Sequence, residues 1–210
     1  MHTPHYLYFM ISSTPTRMGY LIRKIGHNQY NHTSIALDAS FKQLYGFARK
    51  QHCILVGGLA LETMDRYTLR KVDEIDAVIF RVPVSKQQYQ YVKEKVLSIY
   101  HDEEYMYNLY SVLSYPMLGG FKTYKAYSCI EFVLHILDEL GFVIPMPHQC
   151  GRPDDLLYIL KDYVYFQGNL LDYCSLREPD PYYYAPMDLE MLKKNIDGFK
   201  ELTRRTLFRH

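Results

Sequence analysis

Cys129 lies in the first turn of a predicted helix. Ser128-Cys-Ile-Glu131 has the serine and the glutamate of a capping box, and apolar residues at helical spacing follow it. At such a helix start the backbone N–H groups point outward and the dipole is positive, which favours a thiolate over a thiol. We therefore expect Cys129 to be more reactive than an ordinary buried cysteine.

A nucleophilic cysteine needs a base, and His32 is the preferred candidate among the nine histidines. It lies on a predicted strand that begins at Asn31, and over residues 32 to 38 alternation places His32, Ser34 and Ala36 on one face. Because the residues on this face are small, we expect the end of the cysteine helix to approach the imidazole there.

Two other polar residues fit the chemistry less well. His135 is on the helix of Cys129 but six positions on, about 600° of rotation at roughly 100° per residue, and so points elsewhere. Asp38 shares the face of His32 but lies about 20 Å along the strand, so we expect it to cap a turn. A buried cysteine or a strand histidine taken alone is commonly structural, and neither would define a function.

Four segments together carry a resemblance to a known family: Tyr30-Asn-His-Thr-Ser-Ile-Ala-Leu-Asp38, Leu44-Tyr-Gly-Phe-Ala-Arg-Lys50, Tyr105-Met-Tyr-Asn108 and Tyr127-Ser-Cys-Ile-Glu-Phe-Val133. On them the chain resembles the circularly permuted papain-like hydrolases of the NlpC-type peptidase superfamily, which includes the lecithin:retinol acyltransferase-like branch. In the permuted group the histidine strand precedes the cysteine helix, as it does here. The resemblance spans roughly residues 6 to 161 and includes the predicted helix start Pro153-Asp-Asp-Leu156.

The resemblance implies a role for three side chains. Cys129 matches the family nucleophile and His32 its general base, a pair that rests as thiolate and imidazolium. Tyr107, or in second place Tyr105, matches a tyrosine that assists the oxyanion site, although simple aromatic packing is an equal alternative. The backbone N–H of Cys129 is a further oxyanion donor.

The third, orienting residue of the family is left open by the sequence. The family places a polar side chain on the strand after the histidine, and the predicted hairpin strand beginning at Leu44 offers several without a decisive register: Tyr45, Arg49, Lys50, Gln51 and His52.

These observations predict a cysteine hydrolase, an amidase, peptidase or thioesterase that works through an acyl-enzyme intermediate and needs no cofactor. The alternatives are a lipid acyltransferase and a non-catalytic papain-like domain that binds a peptide or a lipid. The substrate would be a small molecule, a peptide or a lipid, because tyrosine-rich walls suit all three.

Composition narrows the classes further. The 24 basic and 23 acidic residues give a net charge of +1, without the broad positive charge of a nucleic-acid binder. The four cysteines form no CxxC pair and no disulfide-rich pattern, and no stretch has the length of a membrane span. We therefore expect a cytoplasmic protein. His148-Gln-Cys150 and His52-Cys53 lack the paired spacing of a zinc site, so no metal is predicted.

The elements that must position these residues indicate an α+β fold. Strands are predicted at 6–11, 32–38, 44–47 and 77–84, and a capping box at Ser85 opens a helix to about residue 100. Pro153 is predicted to open a helix, and 163–173 a hairpin. We expect a permuted papain-like domain over residues 1–178, with a central antiparallel sheet packed against the cysteine helix. Residues 179–210 would add a Pro/Tyr-rich linker and an amphipathic C-terminal helix packing on that domain.

Overall fold

The computed structural model describes residues 4–54, 57–175 and 177–208. Its strands are β1 (His5–Ser12), β2 (His32–Ala36), β3 (Leu44–Ala48), β4 (Gly58–Leu61), β5 (Asp76–Val84), β6 (Met106–Tyr107), β7 (Ala126–Tyr127) and β8 (Val164–Asn169). Its helices are α1 (Arg17–Gly26), α2 (Met64–Thr68), α3 (Lys86–His101), α4 (Leu109–Leu118), α5 (Cys129–Glu139), α6 (Asp155–Ile159), α7 (Leu170–Tyr173) and α8 (Leu189–Phe208).

Six strands form one antiparallel sheet in the order β4-β3-β2-β1-β5-β8, and β6 and β7 form a separate parallel pair. β1 lies between β2 and β5, with Phe9 opposite Ile35 on one side and Phe80 on the other. These three side chains are fully buried. The structure is therefore mixed α+β with a mostly antiparallel sheet, and strands are present where they were predicted at 6–11, 44–47 and 77–84, while the one predicted at 32–38 ends at Ala36.

The two faces of the sheet are covered by different elements, as the alternation of apolar residues along β1 and β5 requires. One face, with Phe9 and Ile35, packs against α3 and α5 in the larger apolar core. The opposite face, with Met10 and Ala36, packs against α2 and α7 in a smaller core. The cysteine helix thus lies on one face of the sheet only.

Both capping boxes form as predicted. Ser85 begins α3 with Gln88 as its reciprocal partner, and Ser128 begins α5 with Glu131. Just after α5, Gly141 takes a φ of +91°, a conformation that glycine adopts without a Cβ penalty. The start and the end of the cysteine helix are therefore both determined by local sequence.

The predicted hairpin over 163–173 is wrong. Its first half is β8, which pairs with β5, but its second half is α7. Asn169 explains the change, because its side-chain oxygen accepts hydrogen bonds from the N–H groups of Leu171, at 3.3 Å, and of Ile75, at 2.9 Å. A predicted turn residue is therefore a helix cap.

The helix predicted to open at Pro153 begins instead at Asp155. The preceding Asp154 does not cap the helix with its side chain. Its carboxylate accepts from the backbone N–H groups of Gln29, at 2.7 Å, and Tyr30, at 2.9 Å. Asp154, which the prediction placed inside the helix, therefore makes a tertiary contact just before the helix begins.

α8 packs on the rest of the structure mainly through its C-terminal half. The Tyr110 hydroxyl lies 2.7 Å from that of Thr203, and Arg205 donates to the carbonyl of Glu104. Leu202 is buried, but four residues of the predicted inward face are substantially exposed: Leu189, Leu192, Ile196 and Phe199. The predicted apolar face is therefore only partly covered. No helix within the described ranges is long and apolar enough to cross a bilayer.

Candidate functional site

The capping box of α5 fixes the position of Cys129. The Ser128 hydroxyl accepts from the backbone N–H of Glu131, and the Glu131 carboxylate accepts from the backbone N–H of Ser128. Ser111 donates a further hydrogen bond to this carboxylate, at 3.0 Å. The helix start is thus held by side chains that are themselves buried, and Cys129, in its first turn, is only 6% exposed.

The structure brings Cys129 and His32 together. α5 packs on β2, and the two groups lie close enough for the imidazole to lower the pKa of the thiol and for the thiol to raise the pKa of the imidazole. The expected route of approach is wrong, however, because α5 packs with Ile35 rather than on the face of β2 that carries Ala36. His32 is the first residue of β2, the strand on which α5 packs.

Glu62 is the carboxylate that contacts the imidazole of His32. His32 Nε2 lies 2.8 Å from one Glu62 carboxylate oxygen and 3.1 Å from the other. Ser34 and Tyr67 each donate to this carboxylate at 2.6 Å. The small face of β2 therefore accommodates a carboxylate network, not the end of the cysteine helix.

The local fold explains how Glu62 reaches the imidazole. It follows β4 directly, and its backbone N–H donates to the carbonyl of Leu44 at 2.8 Å. Gly46 on the neighbouring strand leaves the necessary space, because a Cβ there would lie 2.7 Å from Glu62 Oε2 and 3.1 Å from His32 Nε2. Alanine at this position would displace one of the two side chains.

The five candidates on the hairpin do not take the orienting position. Tyr45 packs in the core against Tyr100, and His52 binds the backbone of Tyr183. Sequence reasoning missed Glu62 because no strand was predicted at 58–61. The available signal was a single charged residue in the apolar run Ile54-Leu-Val-Gly-Gly-Leu-Ala-Leu-Glu-Thr-Met64.

The electrostatics of the site favour an ion pair. Burial by itself lowers the pKa of His32, but the charge of Glu62 and hydrogen bonds to Cys129 and Glu62 outweigh it, so the pKa is raised. Burial also opposes ionisation of Cys129. The hydrogen bond to His32 and the charge on that ring overcome it, and the pKa of the thiol is lowered. Both shifts favour thiolate and imidazolium.

Tyr107 lies beside the thiol, whereas Tyr105 does not. Tyr107 pairs with Tyr127 across the β6–β7 ladder, and Tyr127 lies two residues before Cys129. The backbone N–H of Tyr107 donates to the carbonyl of Gly57 at 2.8 Å. Burial and then the charge of Cys129 raise the pKa of Tyr107, which keeps its hydroxyl protonated. Tyr105 instead stacks on Tyr127 with ring centroids 6.1 Å apart.

Two depressions meet at this site. The larger has a volume of about 110 Å³ and is lined by His32, Glu62, Arg49 and Tyr107, among others. The smaller, of about 40 Å³, is lined by Cys129, by apolar side chains from α1, α4 and α5, and by polar ones that include Asn28, Asn31 and Arg152. Ile22, Asn31 and Tyr107 line both, so His32 and Cys129 lie where the two depressions adjoin.

The predicted linker contributes to the wall of the larger depression. Tyr183 is 5% exposed and lines it, held by a hydrogen bond from the N–H of His52 to its carbonyl at 2.9 Å. The Arg66 guanidinium lies 4.5 Å from the centroid of the Tyr183 ring. The segment after residue 178 is therefore part of the candidate site.

The remaining histidine and cysteine candidates lie elsewhere. His135 stacks on Tyr127 and lies 2.9 Å from the Lys95 amine, and His148 lies 3.5 Å from Asp138. Cys53 packs its sulfur against Met191. Across the described ranges, no group of three or more His, Cys, Asp or Glu side chains is arranged to hold a metal ion.

Comparison of the chain with family models, with curated proteins and with solved structures finds no match.

Proposed function

We propose that the protein is a cysteine hydrolase of amide, thioester or ester bonds with a permuted papain-like fold. Cys129 is the nucleophile, His32 the general acid and base, and Glu62 the residue that orients the imidazole. The observation that carries the proposal is that α5 packs on the strand of His32, which places Cys129 near an imidazole that Glu62 contacts at 2.8 Å. The order of histidine strand before cysteine helix, and an antiparallel sheet against that helix, support the fold.

Acylation follows from these positions. The Cys129 thiolate attacks the substrate carbonyl carbon, and the oxygen becomes an oxyanion near the Cys129 N–H and the protonated Tyr107 hydroxyl. The bond between carbon and leaving group then breaks as His32 transfers its proton to the departing nitrogen, oxygen or sulfur. The product is a thioester on Cys129.

Deacylation uses the same groups, but His32 now acts as a base instead of an acid. His32, now neutral, takes a proton from water as the water oxygen attacks the thioester carbon. The carbon–sulfur bond breaks, the acid leaves, and Cys129 returns to the thiolate beside a protonated imidazole. Glu62 keeps Nε2 engaged through both steps, so that Nδ1 is the ring nitrogen that exchanges the proton.

Alkylation tests the activated thiol directly. At about pH 6 an ordinary thiol is almost wholly protonated, so we expect iodoacetamide to modify Cys129 before Cys53, Cys150 and Cys174. Cys129 is the buried one of the four, so faster reaction there would reflect its ionisation and not its accessibility. Peptide mapping by mass spectrometry gives the four rates, and equal or slower reaction at Cys129 contradicts the proposal.

Turnover tests the pairing. Cys129→Ala and His32→Ala should each abolish hydrolysis of a panel of aryl esters and thioesters, with circular dichroism unchanged. Cys53→Ala is the matched control and should retain the native rate, because its sulfur contacts Met191 and not the site. Hydrolysis at the native rate by either site variant would rule out this mechanism.

A further inference from the structure

Arg49 places an uncompensated positive charge in the larger depression. It follows β3 directly and lines the depression together with His32 and Tyr107. Its Nη1 donates to the carbonyl of His52 at 2.9 Å, and it forms no ion pair with any described residue. The rest of its fork of donors has no hydrogen bond to a described side chain or carbonyl.

The other charges around this depression are already matched. Glu62 is the one carboxylate among its described lining residues, and it is bound to His32. Arg66 donates to the carbonyls of Leu61 and Arg49 at 2.8 and 2.6 Å, and its Nε lies 3.7 Å from Asp180. Arg49 is therefore the cation that remains available to a ligand.

The chemistry tells which part of a substrate would lie there. During acylation His32 hands its proton to the leaving group, so the leaving group must lie on the imidazole side of the thiol. That side is the larger depression, which His32 lines and Cys129 does not. The smaller depression contains Cys129 together with apolar and polar side chains, and it faces the acyl part. Its one described cation, Arg152, is paired with Asp155 at 3.4 Å.

We propose that Arg49 is a specificity residue that binds a carboxylate or a phosphate on the leaving group of the substrate. The inference rests on the proposed function and narrows its substrate class to acyl compounds with an anionic leaving group. A planar guanidinium with free donors suits both anions, since it can bind two oxygens at once.

Two aryl esters that differ only in leaving-group charge test this proposal. Acetoxybenzoate releases a phenol that carries a carboxylate, and acetoxybenzamide releases one that carries a neutral amide, each used as the meta and para isomers. The readout is the second-order rate constant for acetylation of Cys129, followed by phenol release and by intact mass. Each variant is compared with the native protein on the same ester, which cancels the intrinsic reactivities.

Arg49→Gln should slow acetylation by acetoxybenzoate about tenfold or more, as expected for loss of a charge-assisted hydrogen bond. Acetylation by acetoxybenzamide should change less than about twofold, because its neutral leaving group carries no charge for the guanidinium to bind. Arg177→Gln removes the same charge from an exposed ion pair with Asp73 and should leave both rates unchanged.

The outcomes separate the inference from the function on which it rests. An equal loss with both esters, or no loss with acetoxybenzoate, overturns the role of Arg49 alone. If the folded native protein acetylates Cys129 with neither ester, the proposed function fails, and the inference fails with it. Acetylation by phenyl acetate, which has no second substituent, reports on the function independently.

Discussion

At the scale of single residues, the main feature of the site is the contact between His32 and Glu62. Burying a carboxylate and an imidazolium is costly unless each finds good partners. Here Ser34 and Tyr67 supply two further hydrogen bonds to the carboxylate, so the charge is not left unsatisfied. The network engages Nε2 of the imidazole, so that Nδ1 is the nitrogen left for the thiol in the proposed mechanism.

Glu62→Gln should therefore raise the pKa of Cys129, so that less of the thiol is ionised at a given pH. A neutral amide removes the charge that raises the pKa of His32, and a neutral imidazole no longer stabilises the Cys129 thiolate. We expect the midpoint of Cys129 ionisation to move up and alkylation near pH ~6 to fall about tenfold. A pH series of iodoacetamide rates measures both.

Glu139→Gln is the control for that experiment. Glu139 is the last residue of α5, at the opposite end of the helix from Cys129, and its carboxylate pairs with Lys95 of α3. The profile of Glu139→Gln should match that of the native protein. A Glu62→Gln profile equally unshifted would show that the carboxylate does not control the ionisation of the pair.

At the scale of elements, the two capping boxes are a natural comparison. Ser85 and Ser128 cap their helices in the same way, but Ser85 begins α3 at the surface, whereas Ser128 is buried and precedes Cys129. The same substitution therefore separates a general effect on helix stability from an effect on the site.

Ser85→Ala and Ser128→Ala should each lower the free energy of unfolding by about 1 kcal/mol or more. The loss should be larger for Ser128→Ala, because the buried N–H of Glu131 is left without its acceptor. Urea unfolding gives both values. Ser128→Ala alone should also slow alkylation of Cys129, and equal slowing by Ser85→Ala would contradict a local role for the α5 start.

At the scale of the whole molecule, the site joins segments that are distant in the chain. Five segments contribute residues to it: β2, the end of β4, the β6–β7 ladder, the start of α5 and the segment around Tyr183. Several of these contacts are polar and buried. The stability of the molecule should therefore depend on the ionisation of the site.

The sign of that dependence follows from the two pKa shifts. The pKa of Glu62 lies below its ordinary value of 4.5, so its contribution is present above pH 4.5 and is lost as the pH falls. The pKa of His32 lies above its ordinary value of 6.5, so its contribution is present below pH 6.5 and is lost as the pH rises. The pair stabilises most between these values.

The difference in unfolding free energy between the native protein and Glu62→Gln should consequently be largest near pH ~5.5 and smaller near pH ~3 and ~9. Urea titrations at these three pH values measure it, with Glu139→Gln as the reference for an exposed carboxylate. A difference that does not vary with pH would mean that the pair is not ionised in the folded protein.

The sequence by itself determined the features that local rules control. Capping boxes, apolar alternation and a terminal glycine place β1, β2, β3, β5, α3 and α5, because each depends on neighbouring residues only. The same rules put Cys129 in a first helical turn and His32 on a strand. The resemblance to a permuted family then singled out these two residues and Tyr107.

Only the tertiary structure decided which side chains meet. Glu62 is 30 residues from His32, and the contact depends on the pairing of β3 with β4 and on the missing Cβ of Gly46. Tyr183 enters the wall from a segment that composition marks as a linker. Long-range pairing and close packing set these contacts, and neither leaves a periodic signal in the chain.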